Sequence, residues 1–266
     1  MATTTSLFEK TILGRTGLEV GRLGLSASYG MPTAAVERAF ERGMNYLYWG
    51  SIRRDAFGHA VRNLKHQRER MVLVVQSYAR FPGMLQRSVE RALKKLTFDH
   101  ADVLLLGWWN GPVWPKVLDA ALELKERGIV HHLAVSTHNR PNILRLAAGS
   151  EIDLFHVRYN AVHRGAERDV FPHLPADHRP GLVAFTTTCW RRLLDARRVP
   201  PGERVPTAGD CYRFVLSQPA IDVCLTGHAS LDHTDHALAA LEKGPMSEDE
   251  LAWMRRVGDA IYGKKR

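Results

Sequence analysis

The sequence predicts an α/β fold, a (β/α)8 TIM barrel of eight parallel strands, each followed by a crossover. Three observations carry that reading. Short apolar, β-rich runs alternate with amphipathic helical stretches from one end of the chain to the other. There are eight such runs, each separated from the next by a connection long enough for parallel pairing. No Gly-x-Gly-x-x-Gly follows the first run, which removes the main argument for an open, doubly wound sheet.

Ahead of the barrel, residues 8–20 read as a short hairpin that turns around Gly14 and Gly17. The strands are expected at 20–26, 44–49, 71–77, 101–106, 131–136, 153–159, 182–186 and 222–226. Helical patterns lie between them, for example at 32–42, 84–96, 113–127 and 141–148. A last helix is expected over 247–260, because Ser247-Glu-Asp-Glu250 has capping-box spacing. No linker, repeat or low-complexity block divides the chain. One domain is therefore expected, with the hairpin in 1–19, the barrel in 20–245, and a closing helix and tail in 246–266.

At 266 residues and 45% hydrophobic, the chain can bury a barrel-sized core. Its net charge is +9, but the basic residues are dispersed and no nucleic-acid motif accompanies them, so no nucleic-acid partner is expected. No apolar run is long enough to span a bilayer, and the first residues lack the basic and apolar regions of a leader. A cytoplasmic protein with no membrane partner is the expectation. Cys189, Cys211 and Cys224 are odd in number and lack zinc-like spacing, which argues against a disulfide framework.

In such a barrel the chemistry sits at the C-terminal ends of the strands. Those positions hold Tyr48, Trp49, Gln76, Tyr78, Arg80, Trp108, Trp109, Asn110, His138, Asn139, Arg140, Arg158, Asn160, His163 and Arg164. Carboxylates are nearly missing; Glu167 and Asp169 come only further along the sixth loop. That argues against paired-acid glycoside hydrolysis and a hard-cation site. Aromatic and cationic groups suit a flat or anionic small molecule, although Trp108 and Trp109 could equally plug the mouth. Of His131 and His132, one should face the helices and the other the barrel. His228, His233 and His236 have helical spacing, but no carboxylate or cysteine completes a ligand set, so no metal is expected there.

Several segments together carry a family pattern. Leu13-Gly-Arg-Thr-Gly-Leu-Glu-Val-Gly-Arg-Leu-Gly-Leu25 opens it, and Gly43-Met-Asn-Tyr-Leu-Tyr-Trp49 follows. Glu126-Arg-Gly-Ile-Val-His-His-Leu-Ala-Val-Ser136, Asp153-Leu-Phe-His-Val-Arg-Tyr-Asn160 and Pro180-Gly-Leu-Val-Ala-Phe-Thr186 continue it. In order and spacing, from about residue 13 to residue 258, the chain resembles the aldo-keto reductases. The resemblance implies a hairpin under the barrel and a nicotinamide cofactor, NADP with NAD as the alternative. Carried over, Phe185 would stack on the nicotinamide and Ser136 would meet its amide. Thr137 takes the place of an asparagine, and His156 falls near a glutamine. Thr186 and Thr187 would approach the pyrophosphate, and Gly227 would lie at a phosphate-cradling helix N-terminus. His233 stands at an arginine position, and Arg191 or Arg192 would supply the missing charge.

The family's catalytic positions carry other residues. By the resemblance, Tyr48 would stand for the aspartate, Arg53 for the tyrosine, Gln76 for the lysine and Gly107 for the histidine. A reductase on this scaffold would need a relocated proton donor, with Tyr48 first and Tyr78 or His138 behind it. Arg53 and Arg54 would lower the Tyr48 pKa, and Arg158 or Arg140 would hold an anionic substrate. Two other readings stay open: a catalytically inactive binding protein, and a non-redox isomerase or dehydratase using the His, Tyr and Arg of the mouth. The loop that shapes substrate choice in many relatives looks short, which would leave the mouth open to a large substrate or a protein.

Overall fold

The computed structural model describes residues 9–50 and 53–263. Strands β1 (Thr11–Ile12) and β2 (Glu19–Val20) form the antiparallel hairpin. The ring is built from β3 (Leu23–Ser26), β4 (Tyr46–Trp49), β5 (Val72–Ser77), β6 (Ala101–Leu106), β7 (Val130–Thr137), β8 (Leu154–Arg158), β9 (Gly181–Phe185) and β10 (Val223–Thr226). Each of these strands pairs in parallel with its sequence neighbours, and β10 closes on β3. Helices α1 (Thr33–Glu41), α2 (Asp55–Asn63), α3 (Pro82–Leu96), α4 (Pro115–Glu126) and α5 (Arg140–Ala147) lie in the first five crossovers. The short α6 (Ala166–Asp169), then α7 (Ala208–Leu216), α8 (Leu231–Leu241) and the closing α9 (Glu248–Gly263) complete the chain.

The helices form where the apolar period calls for them. In α3, Leu85, Val89, Ala92, Leu93 and Leu96 recur every three or four residues and are the buried positions. The capping box ahead of α9 forms as expected. Ser247 N–H donates to Glu250 Oε2 at 3.0 Å, and Glu250 N–H donates to Ser247 Oγ at 3.2 Å. One expected strand is divided: the run 20–26 splits into the end of β2 and the whole of β3. Gly21 N–H turns to Asn45 Oδ1 at 2.8 Å, and pairing with β10 begins at the Arg22 carbonyl, which accepts Cys224 N–H at 2.8 Å while the Arg22 guanidinium reaches the carbonyls of Ile221 and Asp222.

Strand alternation sorts side chains into two cores. One lies between ring and helices. The other fills the ring with Tyr46, Val72, Val74, Val103, Leu105, Ala134, Leu154, Val183, Val223 and Leu225. Leu13 and Val20 of the hairpin belong to this inner core and plug it from below. Arg15 fixes the plug by donating to the carbonyls of Gly149 and Ile152. At the base, alternate strands are stitched by side chains that accept a backbone N–H from the strand before. Asn45 accepts from Gly21 at 2.8 Å, Asp102 from Leu73 at 2.6 Å, Asp153 from Leu133 at 2.8 Å and Asp222 from Leu182 at 2.9 Å.

Candidate active site

At the other end, the strands open onto a cavity of about 260 Å³. Its lining is Ser26, Ser28, Tyr29, Tyr48, Gln76, Tyr78, Leu105, Trp108, Ser136, Thr137, His138, His156, Phe185, Thr186 and Leu225. Tyr46 fills the inner core, so Tyr48, two residues on, shares its inward face one layer higher. The Tyr48 hydroxyl donates to Gln76 Oε1 on the adjacent strand at 2.5 Å. In the layer below, the Tyr46 hydroxyl and His156 Nε2 lie 2.7 Å apart. The His156 ring meets Tyr48 edge-on, with centroids 5.4 Å apart.

Burial sets the proton affinities here. Desolvation drives the Tyr48 phenol well above its ordinary range, and neighbouring Tyr78 and Tyr29 push the same way. The expectation that Arg53 and Arg54 lower it is corrected. Arg54 turns away to stack over Trp49 at 3.9 Å and donates to the Gly50 carbonyl, while Arg53 packs beside Gly30. His156, fully enclosed, is pushed down to about 3 and stays neutral. His138 is lowered first by burial and then by Arg158.

Gly107 and Tyr78 form one unit. A Cβ on Gly107 would lie 2.5 Å from two ring carbons of Tyr78 and 3.0 Å from Gln76 Nε2, so the tyrosine ring uses the room that the glycine leaves. The next residue, Trp108, is held at φ 56 and is 59% exposed at the rim. Its N–H donates to Ser136 Oγ at 2.9 Å, and its ring meets His138 edge-on. Across the mouth, His138 leans on Phe185 with centroids 5.8 Å apart. Positive φ at non-glycine residues concentrates at this end: Arg53, Trp108, Thr186, Cys189, Trp190 and Arg191. Left-handed backbone costs energy outside glycine, and such clustering is a mark of functional loops.

Of the expected site residues, Tyr48, Tyr78, Ser136, Thr137, His138, His156, Phe185 and Thr186 line the cavity. Arg158 is the last residue of β8, in register with Phe185, and has no ion-pair partner among the described residues. Thr187 is buried beneath the rim, its hydroxyl 3.4 Å from the Leu225 carbonyl. Gly227 lies against the Tyr29 ring, which occupies the place where a Cβ would be. Arg191 sits in a separate arginine-rich depression formed by residues 190–198. His233 is exposed in the first turn of α8, its Nδ1 3.4 Å from Ala229 N.

Other candidates belong to the scaffold. Trp49 alternates outward from Tyr48 and is buried; Trp109, past the end of β6 and just after the left-handed Trp108, is buried as well, with Arg80 stacked 4.1 Å from its ring. Asn160 is fully buried and braces its own loop through Val162, His163 and the Thr186 carbonyl. Arg140 is committed to Asp169 and Arg164 to Asp259, so neither is spare for an anionic substrate. Ser26, Ser28 and Tyr29, at the end of β3, line the cavity but were absent from the expected set. The strand-end rule applied to the first barrel strand would have found them.

A closed ring of eight parallel strands defines a (β/α)8 barrel, and its cavity lies at the strand C-termini, the end at which such barrels carry their sites. The Aldo/keto reductase family profile matches residues 21–188, more than half of the chain, and the chain belongs to that family. No curated protein matches it significantly. Among solved structures, an aldo-keto reductase from Bacillus halodurans in its holo form is 20% identical, with TM-score 0.77, over 94% of this chain and 96% of its own. An aldo-keto reductase from Klebsiella pneumoniae in complex with NADPH is 22% identical, with TM-score 0.78, over 94% and 95%. Another from Klebsiella pneumoniae, in complex with NADP and acetate, is 23% identical, with TM-score 0.77, over 94% and 96%. At these identities the likeness concerns the fold. No helix among the described residues is long and apolar enough to cross a membrane.

Proposed function

We propose that this chain is an NADP(H)-dependent oxidoreductase of the aldo/keto reductase kind, acting on a small carbonyl compound with a non-standard catalytic set. The observation that carries this reading is the Tyr48–Gln76 hydrogen bond, set in the mouth that Ser136, His138 and Phe185 also line. The NADP(H) complexes of the Klebsiella pneumoniae proteins support the same cofactor here.

The residues present fit a nicotinamide dinucleotide at its ring end. Phe185 lines the cavity as an aromatic wall, and Ser136 Oγ, which accepts from Trp108 N–H, keeps its own proton to donate. At the phosphate end, Thr186 and the left-handed run Cys189–Trp190–Arg191 bend the loop, and Arg191 and Arg192 lie in the neighbouring depression. Gly227 becomes accessible to a phosphate once the Tyr29 ring turns aside. When bound, the cofactor supplies the hydride.

Tyr48 then acts as the proton donor to the developing alkoxide. Its raised pKa keeps it protonated at neutral pH, which suits carbonyl reduction and disfavours alcohol oxidation, where the same group would have to start as a phenolate. Gln76 suits both stages. Its Oε1 accepts from the phenol, and its amide N–H can donate to the phenolate that remains. Arg158, lacking a carboxylate partner among the described residues, is the cation available to an anionic substrate.

One observation favours a second reading, a binder without turnover. Burial moves Tyr48 away from the near-neutral pKa that efficient acid catalysis prefers. Titration of NADPH and NADH against tryptophan fluorescence, with Trp108 at the rim as reporter, tests the cofactor half. Saturable quenching below about 1 mM is expected. No change in that range removes the oxidoreductase reading. Binding without NADPH consumption across a panel of aldehydes and keto acids leaves the binder.

A further inference from the structure

We propose that His100, Asp102 and His131 form a binding site for a zinc-class divalent cation on the outer face of the barrel's base. The argument begins with strand geometry. In the parallel pair of β6 and β7, Ala101 is in register with Val130 and Val103 with His132. Val103 belongs to the inner core, so Asp102 and His131 point outward on adjacent strands. His100 precedes Asp102 by two positions and shares its face. The three residues thus follow an i, i+2 and neighbouring-strand pattern, which aims three donors at one point.

The side chains agree with that placement. The two imidazoles stack with centroids 4.6 Å apart and planes 25° apart. One ligand atom from each of the three residues lies within 4.8 Å of the others. Asp102 is held in place by Leu73 N–H at 2.6 Å and by Arg68 at 2.9 Å, both on Oδ2. Its other oxygen is uncommitted among the described residues. The exposed His131 gives an ion a way in.

Two imidazole nitrogens and one carboxylate oxygen match zinc and its late first-row neighbours, with water completing a four-coordinate shell. Calcium and magnesium would require oxygen ligands that the cluster lacks. The Arg68 cation beside Asp102 opposes a second positive charge, so the expected affinity is micromolar rather than that of a structural zinc finger. Strand β6 is six residues long, which puts the cluster roughly 20 Å from the mouth. The ion would therefore clamp β6 to β7 and take no part in the proposed reaction. The ligands are about one strand-crossover apart in sequence, which is why no local metal motif announces them.

The test uses the full-length protein, stripped of metal with a chelator, and calorimetry with Zn²⁺ alone. Binding of one equivalent and a raised melting temperature are expected for the wild type. His131→Ala and His100→Ala should each weaken binding at least about 10-fold. His233→Ala and His236→Ala, at the other histidine-rich segment, should not weaken it. His131 is exposed, so its variant will fold, and circular dichroism checks this. Co²⁺ gives an independent readout as visible ligand-field absorption that is lost in the same two variants. The proposal is overturned by absence of Zn²⁺ binding up to about 1 mM, or by unchanged binding in His100→Ala and His131→Ala.

Discussion

At the base of the barrel, every second ring strand carries an Asn or Asp that holds a backbone N–H of the strand before it. At the mouth, no carboxylate lines the cavity among the described residues. The three basal acids are each matched by a cation: Asp102 by Arg68, Asp153 by Lys125 and Asp222 by Arg179. Asn45, carrying no charge, instead donates to the carbonyls of Glu19 and Arg70. At the base, these four side chains hold neighbouring strands together. At the mouth, Arg158 has no carboxylate partner among the described residues, Tyr48 is held by one amide, and left-handed backbone is tolerated. The difference teaches that ion-paired carboxylates at one end serve closure of the ring, whereas the cavity at the other end is lined without them.

The largest effect should come from breaking the base. Asp222 is 2% exposed; it pairs with Arg179 through both oxygens and also accepts Leu182 N–H. Asp222→Ala strands a guanidinium and a buried N–H together, so a loss of about 3–5 kcal/mol is expected in urea unfolding. NADPH affinity of the folded protein should be unchanged at a temperature where the variant is native. A variant as stable as the wild type would show that the basal stitches carry little.

A pH scan sharpens the comparison from inside the barrel. His156 falls from 6.5 to about 3 and His228 to about 4, both through burial, so the fold favours their neutral forms. The unfolded chain takes up protons below pH 6.5 while the native chain does not. The stability is therefore complete above 6.5 and is lost as pH falls towards the folded values. His156 alone should cost on the order of 3 kcal/mol by pH 4. His156→Gln should flatten that share of the melting-temperature profile. An unchanged slope between pH 6.5 and 4 would sink the assignment.

How much of this was legible follows from the same contrast. The ring and the plug were readable because alternation, crossover length and the capping box at Ser247 are local patterns. Tyr48, Gln76, Tyr78 and His138 were found at the mouth because strand ends point there. Trp49 was misplaced because being one residue out of phase turns a side chain to the outer face, and Trp109 because the left-handed turn at Trp108 takes the chain out of the strand's alternation. The commitments of Arg140 and Arg164 depend on Asp169 and Asp259, from the sixth crossover and from α9, and no local pattern reveals such partners. The Tyr48–Gln76 bond depends on cross-strand register, and the Tyr78–Gly107 packing on a ring folding back over its neighbour.

At the mouth, Tyr48→Phe deletes the proposed donor while keeping the ring. Only one hydrogen bond is lost, so stability should fall by about 1 kcal/mol. Turnover should fall on the order of 10²-fold, with NADPH affinity intact. Equal turnover in wild type and variant, measured by NADPH consumption, would move the donor role to Tyr78 or His138.

The smallest expected effect comes from one methyl group. In Gly107→Ala the new Cβ would meet the Tyr78 ring at 2.5 Å, so the ring must move. Gly107 is not among the positive-φ glycines, so the alanine adds no backbone strain. Tyr78 is already 51% exposed and can swing outward, which limits the stability cost to about 1 kcal/mol. The swing removes one wall of the cavity next to Gln76 and Trp108, so NADPH or substrate affinity should weaken by about tenfold, with altered Trp108 fluorescence. Tyr78→Ala should weaken it similarly, and the double variant should be no worse than either single one, because both act on one ring. Additive losses would mean that Gly107 and Tyr78 serve the mouth separately, and the reading of the glycine as the seat of the tyrosine would fall.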